Sequence, residues 1–149
     1  MMKKLLYLFV TALVLISCTK NTEPWEKESL NLDIRFVVET EGQHNSILIK
    51  EVNDGSIGEI SFYSKNEGNA NLPYDETINQ EVSYYTKATF IYQDRTVSES
   101  IQEYESFVGY DITLKMFVEG ELKVEITKAI AKPDDTASIS FDFKEYFED

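Results

Sequence analysis

Cysteine, histidine and tryptophan occur once each in this 149-residue chain, proline three times, and basic residues number 14 against 27 acidic ones. One thiol permits no internal disulfide, so stability has to come from an apolar core alone. One histidine and one cysteine cannot assemble a zinc site, which needs several such ligands. A Ser-His-Asp triad would have to recruit His44. That residue sits in the polar turn Glu41-Gly42-Gln43-His44-Asn45 with no nucleophile motif beside it, and it reads as a solvated turn residue. Neither a glycine-rich phosphate loop nor a dinucleotide fingerprint is present, and no motif implies a cofactor. The formal charge of −13 repels polyanions and excludes nucleic acid as a partner. It also disfavours lying flat on anionic lipid. The longest apolar run, Leu5 to Ile16, would rise only about 18 Å as a helix, short of the roughly 30 Å hydrocarbon core, so it does not make a spanning segment.

What is present at the N-terminus is a positive start, Lys3 and Lys4, then that apolar run, then Cys18. This is the order of a secretory leader. The residues Leu15-Ile16-Ser17-Cys18 resemble a bacterial lipobox, aliphatic at the first position and small before an obligatory cysteine. The resemblance implies diacylglycerol in thioether linkage on Cys18, cleavage between Ser17 and Cys18, and acylation of the new amino terminus. Residues 1–17 are then a signal peptide, 18–28 a lipidated tether, and 29–149 a single domain. Each buried methylene contributes about 0.8 kcal/mol, so two or three chains on one residue make release very slow. The address implied is the bacterial cell envelope. Thr19, rather than aspartate, after the cysteine resembles a signal for forwarding to the outer membrane, with the periplasmic or surface face left open. Without its leader the chain keeps 132 residues, the size of one domain, and a charge of −15, because Lys3 and Lys4 leave with the leader. Lipidation also consumes the only thiol.

From Leu30 the hydrophobic period becomes two. Leu30, Leu32, Ile34, Phe36 and Val38 share one face of a half-buried strand. Ser46 to Val52 predicts a second strand, and Asp54-Gly55 a hairpin to a return strand at about Gly58 to Ser64. Lys65 to Thr77 carries Asn66, Gly68, Asn69, Asn71 and Pro73 and reads as a long loop, within which Leu72-Pro73-Tyr74 folds back over an open end of the core. Glu81 to Tyr92 reads as one long extended segment. Residues 97–108 are ambiguous between a short helix and an irregular crossover. Tyr110 to Val118 and Leu122 to Ile126 form a hairpin around Glu119-Gly120-Glu121, and Ala137 to Phe143 is the last strand, followed by a polar and aromatic tail. Seven strands at short intervals without long helices exclude a parallel α/β sheet. The expected fold is all-β: an antiparallel β-sandwich of immunoglobulin-like or transthyretin-like type with at most one short helix.

Sites are harder to read. Tyr63 and Tyr85 fall on the out-of-phase positions of their strands and Tyr74 lies in the long loop, which makes these three the candidate partner-binding residues. Oxygen-rich turns make Asp54, Asp134 and Asp135 candidates for calcium, although neither turn has EF-hand spacing. The expected function is a non-catalytic, membrane-tethered domain that binds a protein partner. A glycan is the less favoured ligand, since the single tryptophan, Trp25, lies in the tether. Two alternatives stand beside it. One is a hydrolase built on two carboxylates facing across a cleft. The other is a structural component of the envelope or of a surface appendage, exchanging strands at a sheet edge.

Overall fold

The computed structural model describes residue 23 and residues 28–55, 60–68, 70–95 and 106–148. The leader, Cys18 and its lipobox, Trp25, and residues 97–105 of the ambiguous stretch lie outside the described residues. Eight strands form two four-stranded antiparallel sheets. They are β1 (Leu30–Thr40), β2 (Ser46–Asp54), β3 (Ile60–Gly68), β4 (Tyr74–Val82), β5 (Thr86–Asp94), β6 (Tyr110–Val118), β7 (Glu121–Ile130) and β8 (Thr136–Asp142). One sheet has the order β4-β1-β6-β7 and the other β3-β2-β5-β8. Their facing surfaces enclose the core, as the all-β sandwich pattern requires.

The alternation read from the sequence is what builds that core. Leu32, Ile34, Phe36 and Val38 of β1 are buried, as are Ile112, Leu114 and Met116 of β6. Leu48 and Val52 of β2 and Ala88, Phe90 and Tyr92 of β5 meet them from the other sheet. Phe36 and Phe90 pack across the gap with centroids 5.2 Å apart and planes tilted by 56°. Strand β7 is covered less than its pattern suggests. As an edge strand it leaves Leu122 exposed and Val124 and Ile126 only half-buried.

Four boundaries differ from the sequence reading. The long loop expected over residues 65–77 is shorter, because β3 continues to Gly68 and β4 begins at Tyr74. Leu72 does fold back into the core. The single strand expected over residues 81–92 is two strands in different sheets, divided at Ser83-Tyr84-Tyr85. That turn contains neither glycine nor proline; side chains close it. Thr86 N–H donates to the Ser83 carbonyl at 3.1 Å, and Ser83 N–H donates to Thr86 Oγ1 at 2.8 Å. The β6–β7 turn has two residues rather than three, Glu119 and Gly120, at φ 51° and 79°. Two consecutive positive φ values match the twist of a tight hairpin, which is why glycine stands there. Finally, the tail forms a short helix, α1 (Lys144–Glu148), capped by Asp142 Oδ1 accepting from Lys144 N–H at 3.0 Å. Phe143 and Phe147 are buried and seal that end of the sandwich. No helix among the described residues is long and apolar enough to cross a membrane.

The sandwich therefore has two unlike ends. Chain entry at Leu30, the Ser83-Tyr85 turn, the Glu119-Gly120 turn and α1 share one end. The 41–45, 70–73, 106–109 and 131–135 connections share the other, about 35 Å away along the eleven residues of β1.

Candidate functional site

The loop end opposite α1 is knitted by backbone hydrogen bonds between connections distant in sequence. Ala70 N–H donates to the Ser46 carbonyl at 3.0 Å, Arg95 N–H to Asn45 at 2.8 Å, and Asp94 N–H to Asp135 at 2.9 Å. Between these loops lies a cleft of about 640 Å³ lined by residues 43–45, 70–72, 106–108 and Tyr110. Its centre is a pair of rings. His44 and Tyr110 stack with centroids 3.5 Å apart and planes 8° from parallel. His44 Nε2–H donates to the Glu41 carbonyl at 2.8 Å, which fixes the ring's orientation and leaves Nδ1 as the acceptor of the neutral imidazole. A side chain on Gly109 would place its Cβ 2.9 Å from the Ile130 carbonyl, so the close approach of this loop to β7 requires glycine. A neighbouring cleft of about 750 Å³ shares His44, Val108 and Tyr110 and adds Glu39, Glu41 and Asp111.

Beneath the stack, Tyr110 is pinned from the core side. Its hydroxyl donates to Asp94 Oδ1 at 2.6 Å, and the Tyr92 hydroxyl lies 2.6 Å from that of Tyr110. Because Tyr110 gives its proton to Asp94, Tyr92 is the donor in the second bond. Asp94 and Tyr92 have no exposed surface, and Asp94 is the one fully buried carboxylate among the described residues. Burial pushes the Tyr92 phenol up to about 12. Burial, followed by the bond to Asp94, raises Tyr110 further still.

These two phenols keep their protons at pH values where an unfolded tyrosine, near 10, has lost its own. Their contribution to stability is thus fully present below about pH 10 and is lost as pH rises through the folded values. Ultraviolet titration of the eight tyrosines beyond the leader is expected to show Tyr92 and Tyr110 ionising only at or beyond alkaline unfolding. Ionisation of all eight in one step near pH 10, with native circular dichroism retained, would contradict this.

The tyrosines expected to bind partners are not brought together. Tyr74 starts β4, facing inward across the open side of the sandwich, and donates its hydroxyl to Glu76 while accepting from Lys50. Lys50 has no exposed surface. It reaches from β2 to Glu76 and, at 3.5 Å, to Glu67, while Lys65 bridges the same two glutamates. Tyr74 is thus half-buried in an ionic seam between β3 and β4, which corrects its assignment to a loop. Tyr85 is exposed, in the turn at the far end, edge-on to Tyr84 at 5.1 Å. Tyr63 lies on β3 opposite Val52, and its side chain is outside the described structure.

The two candidate calcium turns lie at opposite ends of β5. Asp54 pairs with Thr86 at one end of β5 and accepts from Ser83 Oγ at 3.1 Å. Asp135 adjoins Asp94 at the other end, about 27 Å away along the strand. Its Oδ2 accepts from the N–H groups of Ala131 and Lys132 at 2.9 and 3.1 Å, so this carboxylate closes its own turn. Asp134 occupies the left-handed region there, at φ 64°. Among the described residues no three His, Cys, Asp or Glu side chains converge as a metal site.

Sequence reasoning missed the ring pair and its support. His44, taken as a solvated turn residue, is half-buried and stacked. Tyr110 and Phe107 reach it from some 65 residues away in sequence, which no local pattern reveals. Asp94 did leave a signal. It follows Phe90 and Tyr92 on the inward phase of β5, and an acid in that phase has to be buried with a partner. The chain matches no protein-family model, and no curated protein matches it.

Proposed function

We propose that this chain is a non-catalytic binding domain tethered to the bacterial cell envelope through lipid on Cys18, and that it takes its ligand in the cleft around His44 and Tyr110. The observation that carries this reading is the position of the cleft. Strand β1 begins at the α1 end, while the cleft lies at the opposite end, about 35 Å along the strand. An anchor ahead of residue 28 therefore presents the cleft away from lipid, and a tether of about ten residues, reaching at most roughly 33 Å, keeps it near the membrane. The rigid support of Tyr110 by Asp94 and Tyr92 fits preorganised binding. A hydrolase reading would need two acids converging on the ligand, and residues 43–45, 70–72, 106–108 and Tyr110 supply none.

Two experiments test this. Cys18→Ala is expected to release the domain from membranes or stall its processing; unchanged attachment rules out the lipid anchor. A photo-reactive residue at the exposed position Val108 is expected to capture material in intact cells, and the same residue at Leu122 is not. Equal capture at the two positions, or none at either, removes the assignment of the cleft.

A further inference from the structure

We infer that the cleft takes an uncharged, polyhydroxylated ligand: a short stretch of neutral glycan. The inference rests on the binding-domain reading and names the ligand class of that same site.

Charge is the first argument. Across the chain 28% of residues are Asp, Glu, Lys or Arg, yet none of the ten described residues lining the cleft is one, and the acids Glu39, Glu41 and Asp111 belong to the adjoining cleft. Such a lining offers no counter-ion to a carboxylate or phosphate group. The net charge of −13 further repels anions.

The polar groups are of one kind. Gln43, Asn45 and Asn71 place three exposed carboxamides around the opening, and Ser106 adds an exposed hydroxyl. Each carboxamide offers both donors and an acceptor, the complement of a sugar hydroxyl, which is itself donor and acceptor. His44 contributes one more acceptor at Nδ1.

The apolar groups match the other character of a sugar ring, its C–H faces. The half-buried rings of His44 and Phe107 provide flat surfaces within the cleft. Val108 stands at its edge, 83% exposed and the most exposed of the large apolar side chains among the described residues. A bound ring covers it. The volume, about 640 Å³, lies within the roughly 300–1,000 Å³ of small-ligand sites, whereas a stable protein partner needs about 800 Å² from each side.

The test applies full-length protein, extracted from membranes in detergent, to an array of neutral oligosaccharides (gluco-, manno-, xylo- and N-acetylhexosamine series), an array of uronic and sialylated glycans, and a peptide array. Binding to a neutral series is expected, weakened at least tenfold in calorimetry by Gln43→Ala with Asn71→Ala. Both side chains are exposed, so the pair leaves the fold intact, and Leu122→Ala at the far end is expected to leave affinity unchanged. Preference for acidic glycans, or neutral binding that survives the double substitution, overturns the inference. Peptide binding abolished by the same double substitution overturns the glycan assignment and leaves the binding-domain reading standing. Absence of binding on all three arrays overturns both.

Discussion

Lys50→Ala is expected to destabilise the domain by about 3 kcal/mol, while Lys50→Met costs less than about 1 kcal/mol. The side chain has no exposed surface, so the three methylenes that alanine removes, at about 0.8 kcal/mol each, are core material on a charged residue, and the void left behind adds to the loss. Alanine removes that packing. Methionine keeps most of it and dispenses with the charge. The charge itself adds little net stability, because burial depresses the Lys50 ammonium before the attraction of Glu67 partly restores it.

The sign of the pH dependence follows. With its folded pKa below the unfolded 10.5, Lys50 opposes folding while charged, and stability rises with pH through that window. Glu67 behaves oppositely. Burial pushes its carboxyl up, but the bond from Lys65 and the charges of Lys50 and Lys65 together outweigh burial and hold it below 4.5. Its contribution is present above 4.5 and lost as pH falls through the folded value. Urea denaturation at neutral pH separates packing from charge. Equal losses for alanine and methionine would show that the ion pairs, not the methylenes, hold the β3–β4 side together.

Lys50 also shows why part of this fold was legible and part was not. Strands β1, β6 and β8 announce themselves because apolar residues recur at every second position and fill the buried face. Strand β4 alternates just as regularly between half-buried and exposed, but its inward residues are Tyr74, Glu76, Ile78 and Gln80. Three of those four are polar, so hydropathy carries no period, and the segment reads as loop. The seam that makes them tolerable needs Lys50 and Lys65 from the other sheet, a pairing that exists only after folding. The β4–β5 junction was hidden for a related reason. Val82, Tyr84, Thr86 and Ala88 keep one phase straight through the turn, and the turn is made by serine and threonine hydrogen bonds rather than by glycine or proline.

The candidate site was legible only at its base. Polar turns do not reveal which of them will converge, and the cleft joins three connections spread from residue 43 to residue 110. Charged residues on the buried phase of a strand are the recoverable clue. Lys50 sits between Leu48 and Val52, and Asp94 follows Phe90 and Tyr92. The first marks the ionic seam and the second marks the floor of the cleft.

Asp94→Ala is expected to lower stability by about 3 kcal/mol and to loosen the cleft as well. The substitution removes a charge-assisted hydrogen bond of about 1.5–3 kcal/mol, and it leaves the Tyr110 hydroxyl proton without its acceptor. A methyl group also replaces a buried carboxylate, leaving a void. Asp94→Asn retains an oxygen at the acceptor position and is expected to cost about half as much. Tyr110→Phe removes the donor instead, at about 2 kcal/mol.

Because the two groups share one bond, the double variant Asp94→Ala, Tyr110→Phe is expected near 3 kcal/mol rather than the simple total of about 5. Additive losses would show that Asp94 acts through other contacts. Ligand binding separates structure from site. Tyr110→Phe keeps the ring that stacks on His44 but frees it from the floor, so ligand affinity is expected to fall more steeply than at Phe90→Ala, whose ring lies in the core away from the cleft lining. If both variants weaken binding only in proportion to lost stability, the Asp94–Tyr110–Tyr92 chain supports the fold and not the cleft.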